Sequence, residues 1–188
     1  MKRIFIDCGG NVGQWVKKIR SHKSYRRYRK YIIYSFEPLD FVSKEYRDRE
    51  DIIFSNKAIW VYDGEIDFYI DRRIQNNPKC CPTGNTIIKK KKTGHLDKEH
   101  PIKVPCLDFS KWIIENFDKE DYIILKMDIE GAEYKVLNKM IKHKSIEYIN
   151  ELMIEFHRNK IRLEQKSHDK LMEKLRSYKN LKIKIFKR

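Results

Sequence analysis

The stretch Ile4-Phe5-Ile6-Asp7-Cys8-Gly9-Gly10-Asn11-Val12-Gly13-Gln14-Trp15 decides the fold. A short apolar strand closes on an acid, and a glycine-rich turn leads straight into a helical pattern. Glycines remove the side chains that would keep a ligand off the backbone, so this turn can bring N–H groups and a helix N-terminus up to a bound group. A second apolar run, Tyr31-Ile32-Ile33-Tyr34-Ser35-Phe36, ends in Glu37. An acid at the tip of the second strand is placed to accept hydrogen bonds from the two hydroxyls of a ribose. The pair predicts a nucleoside-cofactor site.

The loop chemistry narrows the cofactor. A dinucleotide fingerprint needs G-x-G-x-x-G to cradle a pyrophosphate, and a Walker loop needs G-x-x-x-x-G-K-[S/T]. Here the loop reads D-C-G-G-N-V-G, with an acid ahead of the glycines and neither pattern complete. Asp7 would repel a phosphate, yet it can attract the ammonium and sulfonium charges of S-adenosylmethionine, directly or through water. The bland alternative is a plain strand-to-helix turn in an unliganded α/β domain. Glu37 argues against it, because an acid directly after an apolar strand has no structural need to be there.

At 188 residues the chain reads as one domain spanning 1–188, long enough to bury a core. No apolar run is long enough to span a bilayer, and the glycine loop interrupts the first apolar segment too early for a signal peptide. Cys8, Cys80, Cys81 and Cys106 lack metal-ligand spacing, so reduced thiols in a cytoplasmic protein are expected. The formal net charge is +15. Basic residues gather at 17–31, with Tyr25, Tyr28 and Tyr31 interleaved, and again at Lys89 to Lys92. Basic residues mixed with aromatics form nucleic-acid surfaces, whereas a solvated charged face is the plainer reading.

Apolar runs alternating with helical periodicity predict a parallel sheet wrapped by helices on both faces. Strands are expected at about 3–7, 31–36, 52–60, 122–127, 148–155 and 181–186. Helices are expected at about 11–19, with Val12, Trp15, Val16 and Ile19 on one face, and at 132–143 and 160–177. Asp63-Gly64 followed by the alternating 65–71 predicts an antiparallel extension of the sheet edge after strand three. Residues 72–100 read as a polar loop, either a disordered lysine-rich surface segment or a mobile flap over an acceptor.

Ligands of open α/β sheets sit at the carboxyl ends of the strands. Asp7, Glu37, Asp128, Glu155 and His157 gather there on this reading, with Glu130 and Glu133 close behind. An acidic helix N-terminus accounts for Glu133 without any catalytic role. It accounts less well for Asp128 and Glu130, which precede the helix.

The segments Phe5–Gly13, Ser35-Phe36-Glu37-Pro38, Asn56-Lys57-Ala58-Ile59, Leu107-Asp108, Leu125-Lys126-Met127-Asp128-Ile129-Glu130-Gly131-Ala132-Glu133 and Ile154-Glu155-Phe156-His157 together resemble the FkbM family of methyltransferases. The resemblance implies a Rossmann-like Class I methyltransferase sheet that moves a methyl group from S-adenosylmethionine to a hydroxyl of a sugar, glycan or similar small acceptor. This sequence departs from the family pattern in reading as abbreviated at both ends. It implies that Gly9, Gly10, Asn11 and Gly13 line the methionine end of the cofactor. Glu37 would hold the ribose, Pro38, Ala58 and Ile59 would flank the adenine, and Asp128 would sit beside the sulfonium. The abbreviated ends leave the acceptor pocket for a partner chain or oligomer to complete.

An alcohol is a weak nucleophile until it loses its proton, so a base must stand near it. Asp128 and His157 are the candidates, with Glu130 beside them. A divalent metal held by Asp128, Glu130 or Glu155 could instead lower the hydroxyl's pKa, and oxygen ligands would suit magnesium or calcium. Two other functions compete with glycan O-methylation. One is an RNA-modifying methyltransferase using the basic 17–31 surface, and the other a non-catalytic nucleoside-binding module.

Overall fold

Runs that are apolar on both faces become strands buried on both faces. The structure, a computed structural model, describes residues 1–46, 50–76 and 84–187. In chain order the elements are β1 (Arg3–Cys8), α1 (Gln14–Ser21), β2 (Ile32–Phe36), β3 (Ile52–Ser55), β4 (Ala58–Trp60), β5 (Gly64–Phe68), α2 (Arg72–Asn76), β6 (Ile102–Asp108), α3 (Phe109–Asn116), β7 (Tyr122–Met127), α4 (Glu133–Lys142), β8 (Ile149–Ile154), α5 (Gln165–Arg176) and β9 (Lys182–Ile185). A six-stranded sheet runs β3-β2-β1-β7-β8-β9, and every neighbouring pair in it is parallel.

The period-two alternation of each strand sorts its side chains between two cores. Ile4, Ile6, Ile123 and Leu125 face one side, where α3, α4 and α5 supply Phe109, Ile113, Leu137, Met140, Leu171 and Leu175. Phe5, Ile33 and Ile124 face the other, against Trp15, Val16 and Ile19 of α1 and against Tyr28. Helices therefore cover both faces of a parallel sheet, as expected.

The expected strand over 52–60 divides. Its first half joins the large sheet as β3. Its second half, β4, pairs parallel to β6 in a separate three-stranded sheet ordered β4-β6-β5. The antiparallel element is present there, as the β5–β6 pair. Between the halves, the Asn56 side-chain amide donates to the Glu37 carbonyl at 2.8 Å, which turns the chain. Helix α1 starts at Gln14 rather than Asn11 because Asn11 (φ 48°) and Gly13 (φ 72°) are left-handed, a conformation a right-handed helix excludes.

The described part of the 72–100 segment is docked, not free. Tyr69 bridges Thr86 and Asp71 bridges Leu96, while Thr86, Lys91, Leu96 and Asp97 are buried. Cys80 and Cys81 lie outside the described residues; Cys8 and Cys106 are buried free thiols. Among the described residues no helix is long and apolar enough to cross a membrane.

Candidate functional site

The chain steps outward from β1 to β2 and β3, then returns to β7 on the other side of β1. Strand order reverses between β1 and β7, and a crevice opens outside their carboxyl ends. Those ends are flush, with Asp7 opposite Lys126 and Cys8 opposite Met127. Gly9, Asn11, Glu37, Pro38, Ala58, Ile59, Asp128 and Glu130, all expected from the sequence, line this cleft. Asp7, Gly10, Gly13, Glu155 and His157 do not line it.

The glycine loop is held by its own backbone. The N–H groups of Gly9 and Gly10 both donate to the Phe36 carbonyl at 3.0 Å, so neither is left over for a phosphate. A Cβ on Gly9, at φ +80°, would lie 2.0 Å from the Asp128 carbonyl oxygen; on Gly10 it would lie 2.3 Å from the Ser35 hydroxyl. Only glycine lets this loop pass between β2 and the end of β7. Asn11 then accepts the left-handed conformation that its short side chain tolerates.

Glu37 sits at the tip of β2 and is 8% exposed. Its carboxylate accepts from the backbone N–H of Asn11 at 3.0 Å and of Leu39 at 3.3 Å. Burial dominates these bonds and pushes its pKa up to about 7. Its site therefore favours any further donor that stabilises the ionised form.

Asp7 corrects an expectation. It was to face the cofactor's positive charges, but it is fully buried beneath the loop, 2.8 Å from the Lys126 ammonium. Lys126 also donates to the carbonyl of Gly9 at 2.9 Å and of Cys8 at 3.3 Å. Asp7 braces the loop through Lys126 and does not itself line the cleft.

A second cluster lies at the ends of β7 and β8. His157 is 3% exposed and approaches a Glu133 carboxylate oxygen at 2.7 Å through Nδ1. Glu133 also accepts from the backbone N–H groups of Ile129 and Gly131, which closes the turn into α4. The far nitrogen, Nε2, lies 3.6 Å from Asp128, 3.6 Å from Glu130 and 3.8 Å from Glu155. Burial lowers the His157 pKa, but the Glu133 hydrogen bond and the Glu133 and Glu130 charges outweigh it, so the net shift is upward. Glu130 sits at φ 53° and takes ion pairs from Lys91 at 2.8 Å and Lys160 at 3.0 Å.

The family model for the methyltransferase FkbM domain matches residues 7–181. The chain belongs to the FkbM methyltransferase family. Membership supports a methyltransferase function for it. The FkbM chain also resembles a crystal structure of methyltransferase FkbM from Methylobacillus flagellatus KT, at 12% identity and a TM-score of 0.42. That likeness covers 76% of this chain and 30% of the other, so the chain spans less than a third of that protein's length. No curated protein matches the chain.

Several residues of this FkbM domain escape a reading of the sequence. Lys57, Phe68, Asn85 and Ile87 line the cleft because the small sheet and the docked segment fold over it. Lys91 stands in a lysine run that looks solvated, yet it is 1% exposed. Glu133 matched the macrodipole reading and concealed its contact with His157. The helical spacing offered one signal: a buried carboxylate in the first turn of α4, next to a strand-end histidine.

Proposed function

We propose that the chain transfers a methyl group from S-adenosylmethionine to a hydroxyl of a sugar, glycan or similar small acceptor. One observation carries this reading: Glu37 lines a single cleft together with the apolar Pro38, Ala58 and Ile59 and the polar Gly9, Asn11 and Asp128. A buried carboxyl lifted to about 7 gains from two ribose hydroxyls that donate to it. The apolar side chains beside it suit a purine, and the glycine loop leaves room for the methionine end. The group fits the residues present. Bound there, with Glu37 on its ribose and the glycine loop at its methionine end, S-adenosylmethionine would supply an electrophilic methyl, and the acceptor hydroxyl's proton would pass to solvent or to a base.

Holding acceptor and donor in line is this fold's first contribution, since alignment alone can supply several kcal/mol of barrier reduction. The second is activation of the hydroxyl at Asp128 and Glu130, which line the cleft, backed by His157. The nucleic-acid alternative loses support from the tyrosines of the basic segment. Tyr28 is buried against Phe5, and Tyr25 and Tyr31 pack against the same core, so they do not offer the free ring faces on which bases stack. We also propose that residues 1–188 act as one domain in the cytoplasm, where Cys8 and Cys106 stay reduced.

The test is methyl transfer from radiolabelled S-adenosylmethionine to a panel of mono- and oligosaccharides, with total RNA alongside. Label on a sugar hydroxyl is expected. Label on RNA alone would replace the acceptor class, cofactor binding with no transfer would favour the non-catalytic module, and no binding would remove the reading.

A further inference from the structure

We infer that Asp128, Glu130 and His157 form a site for one divalent ion of the manganese, iron, cobalt and zinc class. Each offers a donor atom, and the three atoms lie within 4.8 Å of one another. His157 Nε2 is 3.6 Å from Asp128 Oδ1 and 3.6 Å from Glu130 Oε2. Donors about 2.1 Å from a common ion stand about 3.0–3.4 Å apart, so the histidine already stands within a few tenths of an ångström of that spacing from each carboxylate. Side-chain adjustments of about 1 Å would bring the two carboxylates together.

An independent observation points to a ligand. His157 Nε2 is buried without a hydrogen-bond partner, in a side chain 1% exposed and aimed at the carboxylates. A buried nitrogen left unpaired is costly, and a cation would satisfy it. The opposite ring nitrogen is held by Glu133 at 2.7 Å. When Nδ1 carries the proton and donates it to Glu133, Nε2 presents its lone pair to the carboxylates, the carboxylate–histidine arrangement that orients metal-ligating imidazoles.

The donor set revises the expectation of magnesium or calcium on Asp128 and Glu155. Glu155 is not in the group, and an imidazole joined to carboxylates suits manganese, iron, cobalt or zinc better than the all-oxygen ions. Local charge permits the ion. Asp128, Glu130, Glu133 and Glu155 face His157, while among the described residues Lys91 and Lys160 pair with Glu130, and Lys126 lies 3.9 Å from Asp128 and is shared with Asp7. Carboxylates stay in excess, although Lys91 and Lys160 compete for Glu130. This inference deepens the methyltransferase reading and rests on it for its purpose, which is to stabilise negative charge as it develops on the acceptor oxygen.

Calorimetric titration of Mn²⁺ into the full chain, paired with electron paramagnetic resonance of the bound ion, tests it. One ion per chain is expected. Asp128→Asn and His157→Ala should each weaken binding at least tenfold, and Glu133→Gln by about 10–100-fold. His100→Ala, an exposed histidine paired with Asp97, should leave it unchanged. Should the site variants fail to fold by circular dichroism, Lys160→Met provides the converse test: it removes a competing ammonium and should tighten Mn²⁺ binding several-fold. No Mn²⁺ binding at millimolar concentration, or equal affinity in wild type, Asp128→Asn and His157→Ala, would overturn the inference. S-adenosylhomocysteine is titrated into the same samples. Its binding without Mn²⁺ removes only the ion site; Mn²⁺ binding without it keeps the ion site and removes the methyltransferase reading.

Discussion

Asp7 and Lys126 occupy paired positions of β1 and β7 and meet at 2.8 Å, both with no solvent exposure. The pair ties together the two strands between which the cleft opens. Lys126 extends it to the Gly9 carbonyl, so the position of the glycine loop depends on an ion pair underneath it.

Removing one partner leaves an uncompensated buried charge, which typically costs about 3–5 kcal/mol. Lys126→Met should destabilise the fold by that amount in urea denaturation and weaken S-adenosylhomocysteine binding as the loop loosens. The pairing Asp7→Asn with Lys126→Met should recover much of the stability, because no orphaned charge remains. A Lys126→Met protein as stable as wild type would mean the ion pair contributes nothing at this position.

Glu37 makes stability depend on pH. Its folded pKa of about 7 stands above the usual 4.5, so the folded state holds a proton that the unfolded chain releases. Stability from this group is full below about pH 4.5 and is lost as pH rises through 7, by roughly 3 kcal/mol in all. Urea midpoints at pH 5 and 8 should therefore fall more steeply in wild type than in Glu37→Gln. Cofactor affinity should run the other way. The ionised carboxylate accepts the ribose hydroxyls better, so wild-type binding should strengthen from pH 6 to 8 while Glu37→Gln stays flat. Glu37→Ala should weaken binding by roughly 1.5–3 kcal/mol, the worth of hydrogen bonds to a charged group. Unchanged affinity in that variant would take Glu37 out of the site.

The buried parallel strands were legible because burial on both faces demands unbroken apolar runs, as in Tyr122–Met127. Glu37, Asp128 and His157 were legible for a related reason: a polar residue just past such a run marks a strand end, where ligands bind. The division of 52–60 was not, since its cause is an Asn56 amide reaching back to Glu37. Lys91 and Lys126 were hidden by their type. A lysine reads as solvated unless its partner is known, and Asp7 and Glu130 are distant from them in sequence. Asp7 reads as a ligand contact for the same reason, because the sequence does not show its pairing with Lys126.

Lys91 provides a test of how the 84–100 segment is held. Its ammonium, 1% exposed, bonds Glu130 at 2.8 Å and the Gly84 carbonyl. Lys91→Met should release this latch. Amide hydrogen exchange in 84–97 should then speed at least tenfold, with β1 and β7 still protected, because local opening draws on the least cooperative part of a fold. Equal protection of 84–97 in both proteins would show that the other contacts, among them the Tyr69–Thr86 and Asp71–Leu96 bridges and the Thr86 hydroxyl on the Glu130 carbonyl, hold the segment without Lys91.

The last prediction concerns the chemistry. Asp128 lines the cleft at the end of β7, and His157 lies behind it, 3.6 Å from its carboxylate at the end of β8. Asp128→Asn keeps the shape and removes the charge. Single-turnover methyl transfer should slow by about 10²–10⁴, the range for losing a group that activates a hydroxyl, while S-adenosylhomocysteine affinity changes only a few-fold. His157→Ala should produce a comparable loss, because the same hydroxyl is activated through both residues. A chelator should abolish wild-type transfer, and Mn²⁺ should restore it in wild type but not in either variant. Transfer that survives the chelator yet fails in Asp128→Asn would make that carboxylate a base in its own right. Near-normal rates in both variants, with and without metal, would sink the placement of the chemistry at the ends of β7 and β8.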